Sequence, residues 1–275
     1  MTMQVRETID FLYFQLPTTF RAMNSTLRLS LRTDGIAIIR LARPPMNAMD
    51  AGMLEEMAAL FEGLEADRAV RAAVITGEGR AFSAGLDLKT VPDLDRAGRR
   101  RLVDALNACF GTLYAWSKPL VAAVNGHAIA GGLILALCAD WRIVADVLLQ
   151  AALAEVRVGV TYPVAALDIA RSELSPAAAR RLILLGETLD AAGAEALAVF
   201  DERVPLPDLL ERAVARAQRH AMLPPQAFAT IKRELRAPQL ARIAAARAGC
   251  AEPRLKAWLG EEMRQASAMV MRGGA

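Results

Sequence analysis

Cysteine and histidine are scarce in this sequence, and their scarcity limits the chemistry that the chain is able to support. The three cysteines, Cys109, Cys138 and Cys250, are odd in number, and none lies in a C-x-x-C arrangement. Such usage argues against a disulfide scaffold and against a zinc site, and it favours a reduced, cytoplasmic setting. The two histidines, His127 and His220, are too few for a histidine-based metal cluster. We therefore expect no metal ion.

Long apolar runs and dense basic clusters are also missing. No uninterrupted apolar run reaches membrane-spanning length, and the first residues lack the charged, apolar and small-residue segments of a signal peptide in series. We expect no membrane contact. The net charge of +3 comes from arginines spread along predicted helices, without the interleaved aromatic residues of basic nucleic-acid motifs. This mild basicity disfavours nucleic acid as a partner and suits an anionic small molecule.

The pattern of apolar residues predicts an α/β protein with a segment added at each end of its core. Residues 1–24 are predicted to form an N-terminal extension, and residues 25–205 to form the core. The signal for strands then falls away, so residues 206–275 are predicted to be a helical C-terminal region.

Local signals predict several individual elements. Asp34-Gly35 between two apolar runs indicates a hairpin. Asp50 or Asn47 suits the N-cap of a helix over residues 51–66, and a buried strand is predicted over residues 72–76. A strand, a helix and a strand in this order indicate a parallel crossover. In the C-terminal region, helices are predicted to begin near Pro207, Gln226 and Pro253.

Two glycine-bearing turns, Ser83-Ala84-Gly85-Leu86 and Ala130-Gly131-Gly132, each follow a predicted strand and precede a predicted helix. The second turn precedes a nearly all-apolar helix predicted over residues 133–138. The backbone N–H groups of this turn therefore lie at a buried helix N-terminus, where they are able to hold a negative charge. If the turns meet, two N–H groups serve one oxygen as an oxyanion hole. From spacing alone, ordinary turns with packing glycines are the better interpretation, because glycine pairs are common.

The same residues resemble a known family. Residues 81–89, Ala-Phe-Ser-Ala-Gly-Leu-Asp-Leu-Lys, and residues 118–132, from Lys-Pro to Gly-Gly, are similar to motifs of the crotonase superfamily, the enoyl-CoA hydratase/isomerase proteins. The segment 41–49 resembles the early loop of that family. The resemblance covers roughly residues 27–260, and the first two motifs together are specific.

This resemblance implies an α/β fold, a crotonase-like spiral of ββα units followed by a helical C-terminal region used in trimerisation. It implies an acyl-CoA substrate, with coenzyme A as part of the substrate and no prosthetic group, and a homotrimer or a dimer of trimers. By motif position, the backbone N–H groups of Leu86 and Gly131 form the oxyanion hole. The backbone around Ala84 meets the adenine, and Lys89 lies near the phosphates. The resemblance thus assigns coenzyme A binding to Ala84, Leu86, Asp87, Leu88 and Lys89.

One position departs from the family pattern. Hydratases of this family typically carry two glutamates that hold the water, one of them three residues after the oxyanion-hole glycine. Here that position is Ile134, whereas Glu155 fits the position of the second glutamate. A single carboxylate in an apolar pocket suits a proton shuttle that moves a double bond. We therefore expect an isomerase-like enzyme with Glu155 as its base.

Several alternatives stay open at this point. A hydratase is the nearest, because the superfamily is named for it. The loss of a glutamate at Ile134 also fits a non-catalytic acyl-CoA-binding protein, while a thioester hydrolase needs a water-placing acid that the sequence does not identify. Glu155 itself suits a surface carboxylate or an ion pair with Arg157.

Other polar residues are predicted to have structural roles. Asp87 suits a helix cap, and Asp140 suits a cap or a local backbone contact. His127 is predicted to be a buried hydrogen-bonding residue rather than a base. Tyr162 is given no role, although it lies near the predicted acyl pocket. Lys232 resembles a C-terminal lysine that approaches coenzyme A across subunits, and a solvated helix lysine fits it about equally well.

Overall fold

The computed structural model describes residues 18–21, 26–87 and 89–248. In these residues, a seven-stranded sheet has the order β1-β2-β3-β4-β6-β8-β11, and a four-stranded sheet has the order β10-β9-β7-β5. The strands are β1 (Thr18–Arg21), β2 (Leu27–Arg32), β3 (Ile36–Leu41), β4 (Ala72–Gly77), β5 (Ala81–Ser83), β6 (Leu120–Val124), β7 (His127–Ile129), β8 (Trp141–Ala145), β9 (Ala151–Ala152), β10 (Thr188–Leu189) and β11 (Glu202–Val204).

Helices cover the faces of the larger sheet and form the end of the described chain. They are α1 (Ala51–Ala66), α2 (Arg96–Ala115), α3 (Gly131–Leu137), α4 (Val164–Glu173), α5 (Pro176–Ala179), α6 (Ala191–Ala196), α7 (Leu209–Ala221), α8 (Pro225–Leu235) and α9 (Ala237–Arg247). Short 3-10 turns lie at Val91–Asp93, Glu155–Val158 and Leu206–Asp208, and a π turn lies at Arg180–Leu184. The helix predicted to begin near Pro253 lies outside the described residues.

The local signals explain the first part of the fold. Strands β2 and β3 pair antiparallel, and Gly35 closes the hairpin between them with φ +83°, a value that favours glycine. Helix α1 begins after Asp50, whose carboxylate accepts a hydrogen bond of 2.8 Å from the N–H of Met53. Strands β3 and β4 then pair parallel across α1, as the strand-helix-strand order predicts. Part of the predicted N-terminal extension, β1, pairs antiparallel with β2 at the edge of this sheet.

The central strands are buried on both faces, and their alternate residues enter two different apolar clusters. In β4, Ala73 and Ile75 belong to the large cluster that α1 and α2 cover, whereas Ala72 and Val74 belong to the cluster under α7. Burial on both faces explains why these strands are continuous apolar runs, as parallel strands usually are. The large cluster also contains every residue of α3 from Leu133 to Leu137, so α3 is a helix of the interior.

The C-terminal helices are joined to the core by buried charges. Lys232 of α8 and Arg236 after it both form ion pairs with Asp140, at 2.7 and 3.1 Å, and Arg236 also lies 3.6 Å from Glu173. Both cationic side chains are less than a tenth exposed. Charges buried to this degree depend on their partners, because an unpaired charge in the interior is costly.

Two kinds of feature are absent from the described part of the chain. None of the helices in this part is both long enough and apolar enough to span a membrane. Among the same residues, no three His, Cys, Asp or Glu side chains gather as the ligands of a metal ion would.

Candidate active site

The two glycine-bearing turns predicted from the sequence lie against each other. A Cβ atom built on Gly85 would stand 3.1 Å from the backbone nitrogen of Gly131 and 2.7 Å from the carbonyl oxygen of Ile129. One built on Gly132 would stand 2.2 Å from the carbonyl oxygen of Ser83. These distances leave no room for a side chain at either glycine. Only glycine at these positions allows the backbones to approach so closely.

The turns present two backbone donors near each other. Gly131 is the first residue of α3, so its N–H has no partner within the helix. Leu86 is held by its neighbours, because Met49 donates to the carbonyl of Gly85 at 2.7 Å and accepts from the N–H of Asp87 at 2.9 Å. No hydrogen bond between described residues uses the N–H of Leu86 or of Gly131. Both donors are therefore available to an oxygen atom.

Backbone strain marks the same place. Ala130 precedes α3 and has φ +50° and ψ −122°. A residue with a Cβ atom adopts such a conformation at a cost of about 1–3 kcal/mol, and such residues concentrate at functional sites. Two hydrogen bonds secure the position: the N–H of Ala130 donates to Ala152 at 2.7 Å, and its carbonyl accepts from Leu133 at 3.0 Å.

Two polar side chains that lie in the quoted motif segments, but were given no role in the site, hold the first turn. The hydroxyl of Ser83 donates to the carbonyl of Asn47 at 2.7 Å and accepts from the N–H of Gly85 at 3.2 Å. Asn47 has φ +51°, and its amide donates to the carbonyl of Ala81 at 2.9 Å. Ser83 belongs to the motif quoted above. The side-chain oxygen of Asn47 accepts locally, from the N–H of Arg43, but its side-chain nitrogen donates to carbonyls more than thirty residues away, which no local pattern indicates.

The loop that follows Gly85 carries the residues assigned to coenzyme A binding. Ala84 is half-buried, and its N–H donates to Met46 at 2.9 Å. Lys89 is exposed, while Leu88 lies outside the described residues. Asp87 forms an ion pair with Arg43 at 2.7 Å and accepts from the N–H of Lys89 at 3.2 Å. The prediction that Asp87 caps a helix is therefore wrong: its carboxylate closes a local turn and joins the loop to Arg43.

Glu155 stands in the 3-10 turn Glu155–Val158, and one of its carboxylate oxygens, Oε2, is fully buried without a hydrogen-bond partner among the described residues. Burial raises the pKa of Glu155 to about 7, although its own backbone N–H and the hydroxyl of Tyr162 act to lower the pKa. Arg157 is exposed, and the structure shows no ion pair between these two residues. Glu155 is therefore neither a surface carboxylate nor the partner of Arg157.

Ile134 is fully buried in α3, one turn from its start. Its neighbours in the helix are all apolar, and Cys138 one turn later is equally buried and donates its thiol hydrogen to the carbonyl of Ile134 at 3.3 Å. This side of the site therefore offers neither a carboxylate nor a reactive thiol.

Two further residues lie on the segments around Glu155. Tyr162 is buried, and its hydroxyl donates to the carbonyl of Leu153 at 3.3 Å. His127 is half-buried, and its Nδ1 accepts a hydrogen bond of 3.1 Å from the N–H of Gln150. His127 is thus a hydrogen-bonding residue, as predicted, but it is half-buried and not buried.

Neither interpretation of Lys232 agrees with the structure. Its ammonium group is buried and donates to Asp140 at 2.7 Å and to the carbonyl of Lys118 at 3.1 Å. It is therefore neither solvated nor free to approach a ligand. Asp140 also accepts from the N–H of Leu120 at 2.8 Å, so it does hold backbone as predicted, but that backbone is twenty residues away along the chain and not local.

Comparison with known proteins agrees with this geometry. The family model for enoyl-CoA hydratase/isomerase matches residues 32–256. A curated protein named probable enoyl-CoA hydratase EchA17, from Mycobacterium tuberculosis, is 34% identical over 230 residues, which is 78% of this chain and 82% of that protein. It is similar in sequence across most of both chains.

Two solved structures are similar in fold and sequence. One is the human mitochondrial delta3-delta2-enoyl-CoA isomerase, with a TM-score of 0.84 and 25% identity over 90% of this chain and 97% of that one. The other is an apo enoyl-CoA isomerase from Mycobacterium tuberculosis, with a TM-score of 0.73 and 33% identity over 84% of this chain and 100% of that one. The fold predicted from the resemblance, a crotonase-like α/β spiral, is therefore confirmed, and the chain belongs to the enoyl-CoA hydratase/isomerase family.

Proposed function

We propose that this protein moves a carbon–carbon double bond in an acyl-CoA thioester, with Glu155 as its single proton shuttle. The observation that carries the proposal is the buried Oε2 of Glu155, which finds no hydrogen-bond partner in the part of the chain that the structure describes. The other expected carboxylate position holds Ile134. A carboxylate that is buried without a partner lowers stability, and residues with such strongly shifted pKa values concentrate at functional sites.

The reaction begins with the thioester oxygen between the two glycine turns. In the proposed complex, the N–H groups of Leu86 and Gly131 donate to this oxygen, and the partial positive charge at the start of α3 adds to their effect. One donor of this kind is worth about 3–4 kcal/mol of transition-state stabilisation in other enzymes. Neither donor has a partner to give up among the described residues, so both are ready for the enolate as it forms.

The proton transfers then need one group only. The Glu155 carboxylate takes a proton from C2 of a 3-enoyl thioester, and the electrons of that C–H bond move through the carbonyl to give a dienolate. The neutral acid returns the same proton to C4, the electrons return from the oxygen, and the double bond ends between C2 and C3. Because the pKa of Glu155 is about 7, the group is near the balance point that suits both steps at neutral pH.

Binding of coenzyme A is proposed for the loop from Ala84 to Lys89. The backbone of Ala84 faces the adenine in this proposal, and the exposed ammonium group of Lys89 is able to pair with a phosphate. Leu86, Asp87 and Leu88 complete the loop. No prosthetic group takes part.

We infer a homotrimer, or a dimer of trimers, as the assembly. The apolar side chains of Ile231 and Leu235 lie on α8 four residues apart and are 63% and 77% exposed. Met222 and Leu223, just before α8, are also exposed. An apolar surface of this kind on a single chain supports contact with another copy. Light scattering on the purified protein measures the mass of the assembly.

Hydration of a 2-enoyl thioester is the second candidate, and the name of the curated relative favours it. Adding water across a double bond requires a water molecule that is both activated and positioned. Two acceptors do this well, whereas the fully apolar side chain of Ile134 accepts no hydrogen bond. The single carboxylate of Glu155 therefore supports isomerisation better than hydration.

The experiment is a screen of 3-enoyl-CoA and 2-enoyl-CoA thioesters with the wild-type protein and with Glu155→Gln. We expect rapid conversion of 3-enoyl to 2-enoyl thioesters and a loss of about 100-fold or more in Glu155→Gln, because glutamine is unable to accept the proton. Full activity in Glu155→Gln would contradict the mechanism. Fast hydration that depends on Glu155 would favour the second candidate, and binding without turnover of any thioester would indicate a non-catalytic acyl-CoA-binding protein.

A further inference from the structure

We propose that the hydroxyl group of Tyr162 is a two-position hydrogen-bond switch for the carboxyl group of Glu155. It donates to the carbonyl of Leu153 while Glu155 is protonated, and it turns to donate to the carboxylate when Glu155 is ionised. Tyr162 is in this account a positioning residue that acts through Glu155, and the inference rests on the function proposed above.

The chain brings the three groups together within ten residues. Glu155 is the first residue of the 3-10 turn, Leu153 lies two residues before it, and Gly159, with φ +69°, follows the end of the turn. The N–H of Val160 then donates to the carbonyl of Glu155 at 3.0 Å, which fixes the returning strand of the loop. Tyr162 follows two residues later, and its hydroxyl group interacts with the carbonyl of Leu153 and with the carboxyl group of Glu155.

The bond that the hydroxyl makes in the structure is weak. It joins the hydroxyl of Tyr162 to the carbonyl oxygen of Leu153 at 3.3 Å, whereas such bonds are usually about 2.7–2.8 Å. The Oε2 atom of Glu155 is buried and has no hydrogen-bond partner within the described ranges. The hydroxyl therefore makes one long bond and also interacts with the carboxyl group of Glu155. In the proposed switch, rotation about its single C–O bond exchanges one acceptor for the other.

The electrostatics of the pair agree with this arrangement. Burial acts most strongly on the pKa of Glu155 and raises it, and the groups that lower it are its own backbone N–H and the Tyr162 hydroxyl. The charged residue on the same turn, Arg157, is exposed. Burial, followed by the charge of Glu155, raises the pKa of Tyr162 well above its usual value. The phenol therefore keeps its proton at neutral pH and serves as a donor, not as an acid.

A switch of this kind suits a base that changes its charge twice in each turnover. A hydrogen-bond donor fixed on Glu155 would stabilise the carboxylate and so oppose its protonation. Without any donor, the buried carboxylate would be costly to form. Because the hydroxyl has a partner in both states, it serves each of them, and its bond to the ionised carboxylate is the stronger one, so that it lowers the pKa of Glu155.

The test compares wild type with Tyr162→Phe by measuring the pKa of Glu155 itself. The carboxyl carbons of glutamate are labelled with ¹³C, the Glu155 signal is assigned by its loss in Glu155→Gln, and its pKa is read from an NMR titration. We expect the pKa of Glu155 to rise by about one pH unit in Tyr162→Phe, because the ionised form loses its donor. Near pH 7, kcat/KM for a 3-enoyl-CoA should then fall about fivefold with KM unchanged, and it should recover above about pH 9.

Tyr114→Phe is the matched control. Tyr114 is also buried, and its hydroxyl donates to a carboxylate, that of Glu173 at 2.8 Å, but it lies on α2 and has no contact with Glu155. We expect this control to leave the pKa of Glu155 unchanged. An equal pKa of Glu155 in wild type and Tyr162→Phe would overturn the proposal.

The same measurements distinguish a failure of the proposed isomerase function from a failure of the Tyr162 switch. If the pKa of Glu155 rises in Tyr162→Phe but wild type converts no enoyl thioester, the switch stands and the isomerase proposal falls. If Tyr162→Phe does not fold, 3-fluorotyrosine at position 162 replaces it, because its hydroxyl is a stronger donor of unchanged shape. The pKa of Glu155 should then fall, and an unchanged pKa would overturn the switch.

Discussion

A methyl group on Gly85 would lie 3.1 Å from the backbone nitrogen of Gly131, so the two turns of the candidate site are in direct contact. Gly85→Ala forces these backbones apart and also places a Cβ atom at φ +81°. We expect kcat/KM for the thioester to fall about 100-fold or more, because the two donors no longer converge on one oxygen. Steady-state kinetics measure this change.

Gly79→Ala is the control for backbone strain. Gly79 has a similar φ of +76°, but a Cβ atom there would meet nothing within 4 Å. We expect both variants to lose about 1 kcal/mol or more of unfolding free energy. Only Gly85→Ala should lose its activity, and an equal loss in Gly79→Ala would show that the contact with Gly131 is unimportant.

The buried carboxylate of Glu155 predicts a pH-dependent gain of stability in Glu155→Gln. The native pKa of about 7 lies above the unfolded value of 4.5, so the native state holds its proton more tightly. The stabilising effect of this proton is complete below about pH 4.5 and is lost as the pH rises through about 7. Urea unfolding measures the unfolding free energy of Glu155→Gln minus that of wild type. This difference should be about 2–4 kcal/mol larger, in favour of the variant, near pH 8.5 than near pH 4.5. A pH-independent difference would contradict this account of the carboxylate.

A second carboxylate at position 134 should change the reaction. Ile134→Glu adds an acid at the position where hydratases of the family typically carry their first glutamate. We expect isomerisation to fall and slow hydration of 2-enoyl-CoA to appear, measured by loss of the thioester's ultraviolet absorbance. Stability should fall by several kcal/mol, because Ile134 is fully buried.

Ile134→Gln separates the charge from the size of the new side chain. Glutamine is as long and as polar as glutamate, but it takes up no proton. We expect a loss of stability similar to that of Ile134→Glu and no hydration. Hydration in the glutamine variant would show that position 134 does not determine the reaction.

The buried ion pairs of the C-terminal helices predict a large effect of Lys232→Met. This change leaves the carboxylate of Asp140 with Arg236 as its cationic partner and removes the bond to Lys118. We expect a loss of about 2–4 kcal/mol in unfolding free energy, somewhat below the usual cost of breaking a buried pair, because one partner remains. Chemical denaturation measures it.

Arg100→Ala is the matched change at an exposed pair. Arg100 lies 3.4 Å from Asp104 on the surface of α2, and both side chains are about half exposed. We expect Arg100→Ala to lower the free energy of unfolding by less than about 0.5 kcal/mol, as for other exposed ion pairs. If Lys232→Met cost no more than this, the buried network would not anchor the C-terminal helices.

Much of the fold is predictable because its signals are local. Helix α1 spans residues 51–66, as predicted, since Asp50 caps it and an apolar stripe continues to Leu64. The caps at Ser175 and Asp190 are likewise short-range contacts. The small sheet is different. Its strands have two or three residues each, too few for an alternating pattern to show.

The candidate site is predictable only in part for the same reason. Gly85 and Gly131 belong to motifs with fixed spacing, whereas the contact between them joins segments more than forty residues apart. The hydrogen bonds that the side-chain nitrogen of Asn47 donates depend on partners distant in the chain, and so does the burial of Lys232. No residue pattern near these two positions indicates either feature. The hydroxyl of Tyr162 is close to Glu155 in sequence, but its orientation follows from the turn at Gly159.

The measurement that tests the central claim most directly traces the proton that Glu155 is proposed to carry. A 3-enoyl-CoA with two deuterium atoms at C2 is converted in ordinary water, and mass spectrometry and NMR locate deuterium in the product after a single turnover. Because one buried carboxyl both removes and returns the hydrogen, deuterium should appear at C4, and Glu155→Gln should give no product. A product without deuterium at C4, or conversion by Glu155→Gln, would contradict a single Glu155 shuttle.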